Sequence, residues 1–322
     1  MLNAHFHVLR RQFLKALAAA IFALFLPRLT HAAAFLRQEP LGFLDRLPKD
    51  SANYFADDVR LLVGWVTDAA AVRQPLHPGD RVDRTRSFRS GPGFAAPTDI
   101  SALSARYRII AAPIDAHGYY GVILGLLDAS DATVAVLLIN RLFRMPVILQ
   151  EPVGLATDLV TIAGLLFGFR NSALDTALDA ARAAFAEALS LDVPLIVAGQ
   201  SQAGATAQLQ IAALAVAPGW RAGQGGFITF NAAPVRTSIV KLGLDPTTIP
   251  GINFIKDLDP LVGPHGMFTN GVGQQIFIHA DGTGGLEPRA SVLAALSHPR
   301  QHFLDSFGGV SLATALAASR GK

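Results

Sequence analysis

Residues 197–207 read VAGQSQAGATA: an apolar run stops at Gly199, a serine follows two residues later, and small side chains come after it. A serine hydroxyl becomes a nucleophile when a histidine takes its proton and a carboxylate holds that histidine in the useful tautomer. The pattern glycine-x-serine-x-small suits a strand that turns sharply into a helix with the serine at the tip, because small neighbours let strand and helix approach. Gly199 fills the first small position, Ala203 the second, and Gly204 follows. Downstream, Asp257 and Asp259 come after an apolar run at 253–255, and His298 and His302 lie in LSHPRQHFLDSFG. The order serine, aspartate, histidine is the one expected when such groups sit on successive loops at strand ends. The chain has no cysteine, which excludes a thiolate nucleophile, thiolate metal sites and disulfides. His298 and His302 are the one histidine pair at i, i+4, and Pro299 between them weakens helical ligation, so neither metal nor cofactor is expected.

The elements that must position these residues are legible in part. Phe55, Val59, Leu62, Val63 and Val66 fall at helical spacing, and 84–99, rich in Arg, Ser, Gly and Pro, reads as a surface loop. YYGVILGLLDASDATVAVLLIN at 119–140 reads as a hairpin around Asp-Ala-Ser-Asp. A helix follows at 172–190, with Leu174, Leu178, Ala181, Phe185 and Ala188 on one face and Asn171 or Ser172 as its cap. Then come strand VPLIVAG, a helix from Ala203 onward, strands GGFITFNAAPV, INFIKDLDP and QQIFIHADG, and a C-terminal helical segment. This alternation predicts an α/β fold: a mostly parallel central sheet with helices on both faces, in one domain over 35–322.

From 118 to 308 the sequence resembles the lipase class 3 family, α/β-hydrolases that include the fungal-type triacylglycerol lipases. The family's GHSLGGALA-like elbow is matched by GQSQAGATA, its TFGAP-like strand by TFNAAPV, and its DxVP-like loop by Asp259-Pro-Leu-Val. Its closing histidine before an aromatic is matched by QHFLDSFG. The resemblance implies an α/β-hydrolase fold and hydrolysis of carboxylic esters through an acyl-enzyme. It implies Ser201 as nucleophile, Asp259 as orienting carboxylate and His302 as general base, with His298 the alternative base. It also makes the main-chain amide of Gln202 one oxyanion donor. The family's second donor follows an Arg-Gly-Thr segment; INRLF stands there instead, which leaves the amides of Arg141 or Leu142 for the role. Gln200 replaces a histidine, and Asn231-Ala232 a glycine. Asp257 then reads as a solvated loop residue and His279 as a turn or surface residue. The apolar connection 141–169 reads as a lid or lipid-facing flap, or as buried packing.

Of the 322 residues 51% are hydrophobic and 16% charged, enough apolar material for one large core. The net charge of +3 has a local origin: Arg10, Arg11, Lys15 and Arg28 lie in the first 34 residues, which hold no acid. Removing these four of 27 basic residues leaves 23 against 24 acidic ones, so no nucleic-acid partner is implied. Residues 1–34 have the layout of a secretory signal, with an eleven-residue apolar run at 16–26, short of the roughly 20 needed to span a bilayer. RRQFLK within them resembles the twin-arginine export signal, which predicts a periplasmic or secreted protein. The expected partner is a small-molecule or lipid ester, with transient contact at a membrane or lipid interface. Two other functions fit the same residues: a phospholipid, polyester or thioester hydrolase using the same triad, and a non-catalytic scaffold that binds a ligand or partner.

Overall fold

The strands follow one another across the sheet in chain order. In the computed structural model, which describes residues 41–71, 75–82, 101–141, 171–259, 262, 272–289, 304–307 and 310–320, eight strands are ordered β1 to β8. They are β1 (Tyr107–Ala116), β2 (Tyr119–Leu127), β3 (Thr133–Asn140), β4 (Leu195–Gln200), β5 (Gly225–Phe230), β6 (Gly251–Lys256), β7 (Gln274–Ile278) and β8 (Gly284–Gly285). The ladders from β3 to β7 are parallel, whereas β1, β2 and β8 pair antiparallel at the two edges. The predicted hairpin is β2 and β3, closed by Asp128, whose carboxylate accepts from the N–H groups of Ser130 and Ala132. Strand β1 was not expected from sequence. The segments expected to be a signal (1–34) and a surface loop (84–99), and nearly all of 141–169, lie outside the described residues.

Among the described residues, the longer helices that cover the sheet are α1 (Phe55–Ala71), α2 (Ser172–Ser190), α3 (Ser201–Ala215) and α4 (Leu312–Arg320). Alternation along the strands divides the core in two. On one face Val122, Leu124, Leu137, Ile139, Ile228 and Phe254 pack with Val59, Leu62 and Val66 of α1 and Leu312 of α4. On the other, Ile123, Val136, Leu138, Val197 and Phe227 pack with Leu174, Ala181 and Phe185 of α2 and Ile211 of α3. The strands from β4 to β6 are buried along their whole length, as a sheet covered on both faces requires.

Polar contacts fix the helix ends. Asn171 is the cap of α2, its side chain accepting from Leu174 N at 3.0 Å. Asp57 of α1 caps α4 from 255 residues away, accepting from the N–H groups of Leu312 and Ala313 at 3.0 and 3.2 Å. Asp58, 3% exposed, accepts from Arg106 through two bonds of 2.7 Å and from the Tyr107 hydroxyl, which locks α1 to the start of β1. None of the described helices is long and apolar enough to cross a membrane.

Candidate active site

Strand β4 passes into α3 with no intervening loop, so one residue must absorb the change of direction. That residue is Ser201, at φ 53°, in the left-handed region that a side chain other than glycine enters at a cost of about 1–3 kcal/mol. Small neighbours are obligatory around it. A Cβ on Gly199 would lie 2.5 Å from the Ala203 carbonyl carbon and oxygen, and one on Gly204 would lie 2.9 Å from Ala232 Cβ at the end of β5. Gly204 therefore lets α3 approach β5, and Ala203 itself fits, 5% exposed. The helix starts at Ser201 and not at Ala203, two residues earlier than its composition suggested.

As the second residue of α3, Gln202 carries a main-chain N–H that has no intrahelical acceptor, at the positive end of the helix dipole. The cap position, Gln200, makes no side-chain cap bond. Developing negative charge beside Ser201 would meet that end. Gln202 is also 9% exposed, and its side-chain Oε1 is buried without a hydrogen-bond partner, a state that costs about 1–3 kcal/mol. For the other donor candidates the geometry is uneven. The Arg141 N–H donates to Tyr120 O at 3.0 Å, continuing the β2–β3 ladder, and Leu142 lies outside the described residues.

The ends of β5 and β6 are tied together. Asn231 takes φ 44°, which explains why a glycine is usual there in the family this segment resembles. Its N–H donates to Phe254 O, and its Oδ1 accepts from Lys256 N, both at 2.8 Å. From this platform the chain reaches Asp259, fully buried, whose N–H donates to Lys256 O and whose Oδ1 accepts from Val262 N at 3.1 Å. His298 and His302 lie outside the described residues. The turn Leu304–Phe307 begins two residues after His302; its Phe307 is fully buried, edge-on to Phe230 at 5.6 Å and under Lys256 Nζ at 5.4 Å.

Two expectations are corrected. Asp257 is not a solvated loop residue but 2% exposed, accepting from His279 Nδ1 at 2.9 Å and from Arg289 N at 2.8 Å. His279 is 3% exposed and not at the surface, because the end of β7 lies beside the end of β6 and buries both partners.

A buried amide network under the site was not anticipated. Asn140, the last residue of β3, accepts from the Tyr119 hydroxyl at 2.7 Å and donates to Gln210 Oε1 at 2.8 Å and Ala198 O at 3.2 Å. Gln210 in turn donates to Ala177 O in α2, and Gln208 to Thr229 in β5. The sequence signal was the glutamines at 202, 208 and 210, inside a helix that is otherwise small or apolar. The network pins the point where the chain leaves β3 towards Arg141 and Leu142.

No family model and no curated protein matches the chain. Solved structures do match. A fungal lipase crystal structure superposes with a TM-score of 0.50 at 13% identity, covering 84% of this chain and 98% of that one. Lipase II from Rhizopus niveus gives 0.47 at 13% identity over 80% and 96%, and the Rhizomucor miehei lipase propeptide complex 0.46 at 13% over 84% and 83%. The likeness is one of fold: the chain has an α/β-hydrolase architecture like that of the fungal lipase structure.

Proposed function

We propose that this chain is an exported serine ester hydrolase of lipase or esterase type. The observation that carries the reading is the serine elbow: Ser201 at φ 53° between β4 and α3, in a turn that tolerates only small neighbours. Strain of this kind persists where the surroundings enforce it. In the proposed cycle Ser201 Oγ attacks the ester carbonyl while His302 takes its proton, and the Gln202 N–H stabilises the oxyanion. His302 then gives the proton to the departing alcohol, leaving an acyl-enzyme. Water attacks that ester, His302 takes a proton from it and returns it to Ser201, and the free acid departs. Asp259, buried at the end of β6, orients the imidazole. Phospholipid, polyester and thioester substrates would be handled by the same steps. Export is proposed from the paired arginines ahead of QFLK.

A second reading, a non-catalytic binding scaffold, is favoured by one observation: the Arg141 amide is already bonded to Tyr120 O. Losing one oxyanion donor costs about 10²–10³ in rate. Labelling the purified protein with a fluorophosphonate probe separates the two. Covalent attachment at Ser201, abolished together with p-nitrophenyl ester hydrolysis in Ser201→Ala, is expected. Labelling of the alanine variant as strong as wild type would sink the nucleophile assignment, and no labelling of either would favour the scaffold.

A further inference from the structure

Asp257 and His279 form a buried carboxylate–imidazole pair that the proposed cycle does not use. Three segments of chain meet at this one carboxylate. Asp257 follows β6 and extends the β6–β7 ladder, its N–H donating to Ile278 O at 3.0 Å. Its Oδ2 accepts from Nδ1 of His279, the residue after β7, at 2.9 Å, and from the main-chain N–H of Arg289, beyond β8, at 2.8 Å. A buried pair of this kind is weak evidence for stability, since apolar residues of the same volume often serve as well. Its effect lies in what it holds. His279 is not a second base for Ser201, because its Nε2 packs against β8: a Cβ on Gly285 would lie 2.9 Å from that nitrogen. Strand β8 is on the far side of β7 from β4, the strand that ends at the serine.

The segments that meet at Asp257 lead to the rest of the site. On one side a tight turn reaches Asp259, whose N–H donates to Lys256 O at 2.9 Å and whose Oδ1 accepts from Val262 N at 3.1 Å. On the other, Arg289 is the last described residue before the segment that bears His298 and His302. Resting on the reading of Asp259 as the orienting carboxylate, we propose that Asp257 and His279 are positioning residues for the triad. They lock the turn that aims Asp259 and the point from which the histidine segment departs. Neither touches the reacting atoms. The role needs an acceptor at position 257 and not a charge, because a single carbonyl oxygen has two lone pairs for the two donors. A triad carboxylate differs, since its charge stabilises the imidazolium.

Asp257→Asn therefore separates position from charge, and it should retain most of kcat. Asp257→Ala and His279→Leu should lower kcat by about 10²-fold with KM little changed, as a small misplacement of a catalytic group does. Gly285→Ala, which crowds the ring from the far side and removes no polar group, should lower kcat as well. Rates are referred to folded protein, judged by circular dichroism and by the fraction of Ser201 that a fluorophosphonate titrates. Asp257→Asn as inactive as Asp257→Ala would overturn the proposal by showing that the charge is used. Normal turnover by Asp257→Ala and His279→Leu would overturn it too. So would a failure of all three disruptive variants to fold, which makes the pair structural alone. Asp259→Ala reads the premise separately: normal turnover there ends the assignment of Asp259, and an inactive Asp257→Asn beside it would make Asp257 the orienting carboxylate. A wild type that neither labels nor hydrolyses ends the hydrolase reading itself, and the positioning role with it.

Discussion

A serine held in the left-handed region is informative because its neighbours show what enforces it. Gly199 and Gly204 are crowded by backbone and by Ala232, so the turn cannot relax without separating α3 from β4 and β5. The histidine is where kinetics decides. His302→Ala should lower kcat by about 10⁴-fold, as loss of a triad base does, whereas His298→Ala should keep most activity. The reverse result moves the base to His298, and two active variants end the triad. At this scale the strand-to-helix turn at Ser201 was legible because its motif is local. The buried Asp257–His279 pair was not, since Asp257 and Asp259 stand two residues apart and nothing in their sequence tells which is enclosed by a neighbouring strand. The strand pairing of β6 with β7 supplies that information.

Elements carry the site through their ends. Lys256, the last residue of β6, is 7% exposed, and burial pushes its ammonium below the ordinary value of 10.5. The folded state therefore holds this proton less tightly than the unfolded chain. Stability contributed by the neutral amine is present above about 10.5 and lost as pH falls through the lowered folded value. Denaturant melts of wild type and Lys256→Met should thus converge as pH rises towards 10.5, with the methionine variant the more stable at pH 7. A gap that is constant across this range, or of opposite sign, would refute the account. Helix α1, the hairpin and the parallel strands were legible because their hydrophobic periods are strong. Strand β1 was hidden by Pro113 and by register shifts between Ile109 and Ala111 and between Ala111 and Ile114. Both are tolerated because β1 is the first strand of the sheet, and the segment 79–82 that bridges its outer side does so at Tyr107–Ile109, before Pro113. Two-residue β8 is too short to leave a pattern.

Over the whole molecule, charge and topology point in separate directions. Beyond residue 34 the chain is close to neutral, so its basic character belongs to the first 34 residues, and the export proposal can be tested there. Replacing Arg10 and Arg11 together by lysine should retain the precursor in the cytoplasm, as read by cell fractionation. Normal export of that variant would favour the general secretory route, which needs positive charge but not arginine. The fold has its own long-range closure. Asp57 caps α4, and Arg320 approaches Asp45 at 3.4 Å, so the two ends of the body lie side by side. A molecule closed in this way has no privileged starting point. Joining residue 320 to residue 41 with a short linker and reopening the chain at the exposed Gly243 turn should give a permuted protein that melts cooperatively, within a few degrees of the original body. The order in which the ribosome delivers the strands would then be separable from the order in which the sheet holds them.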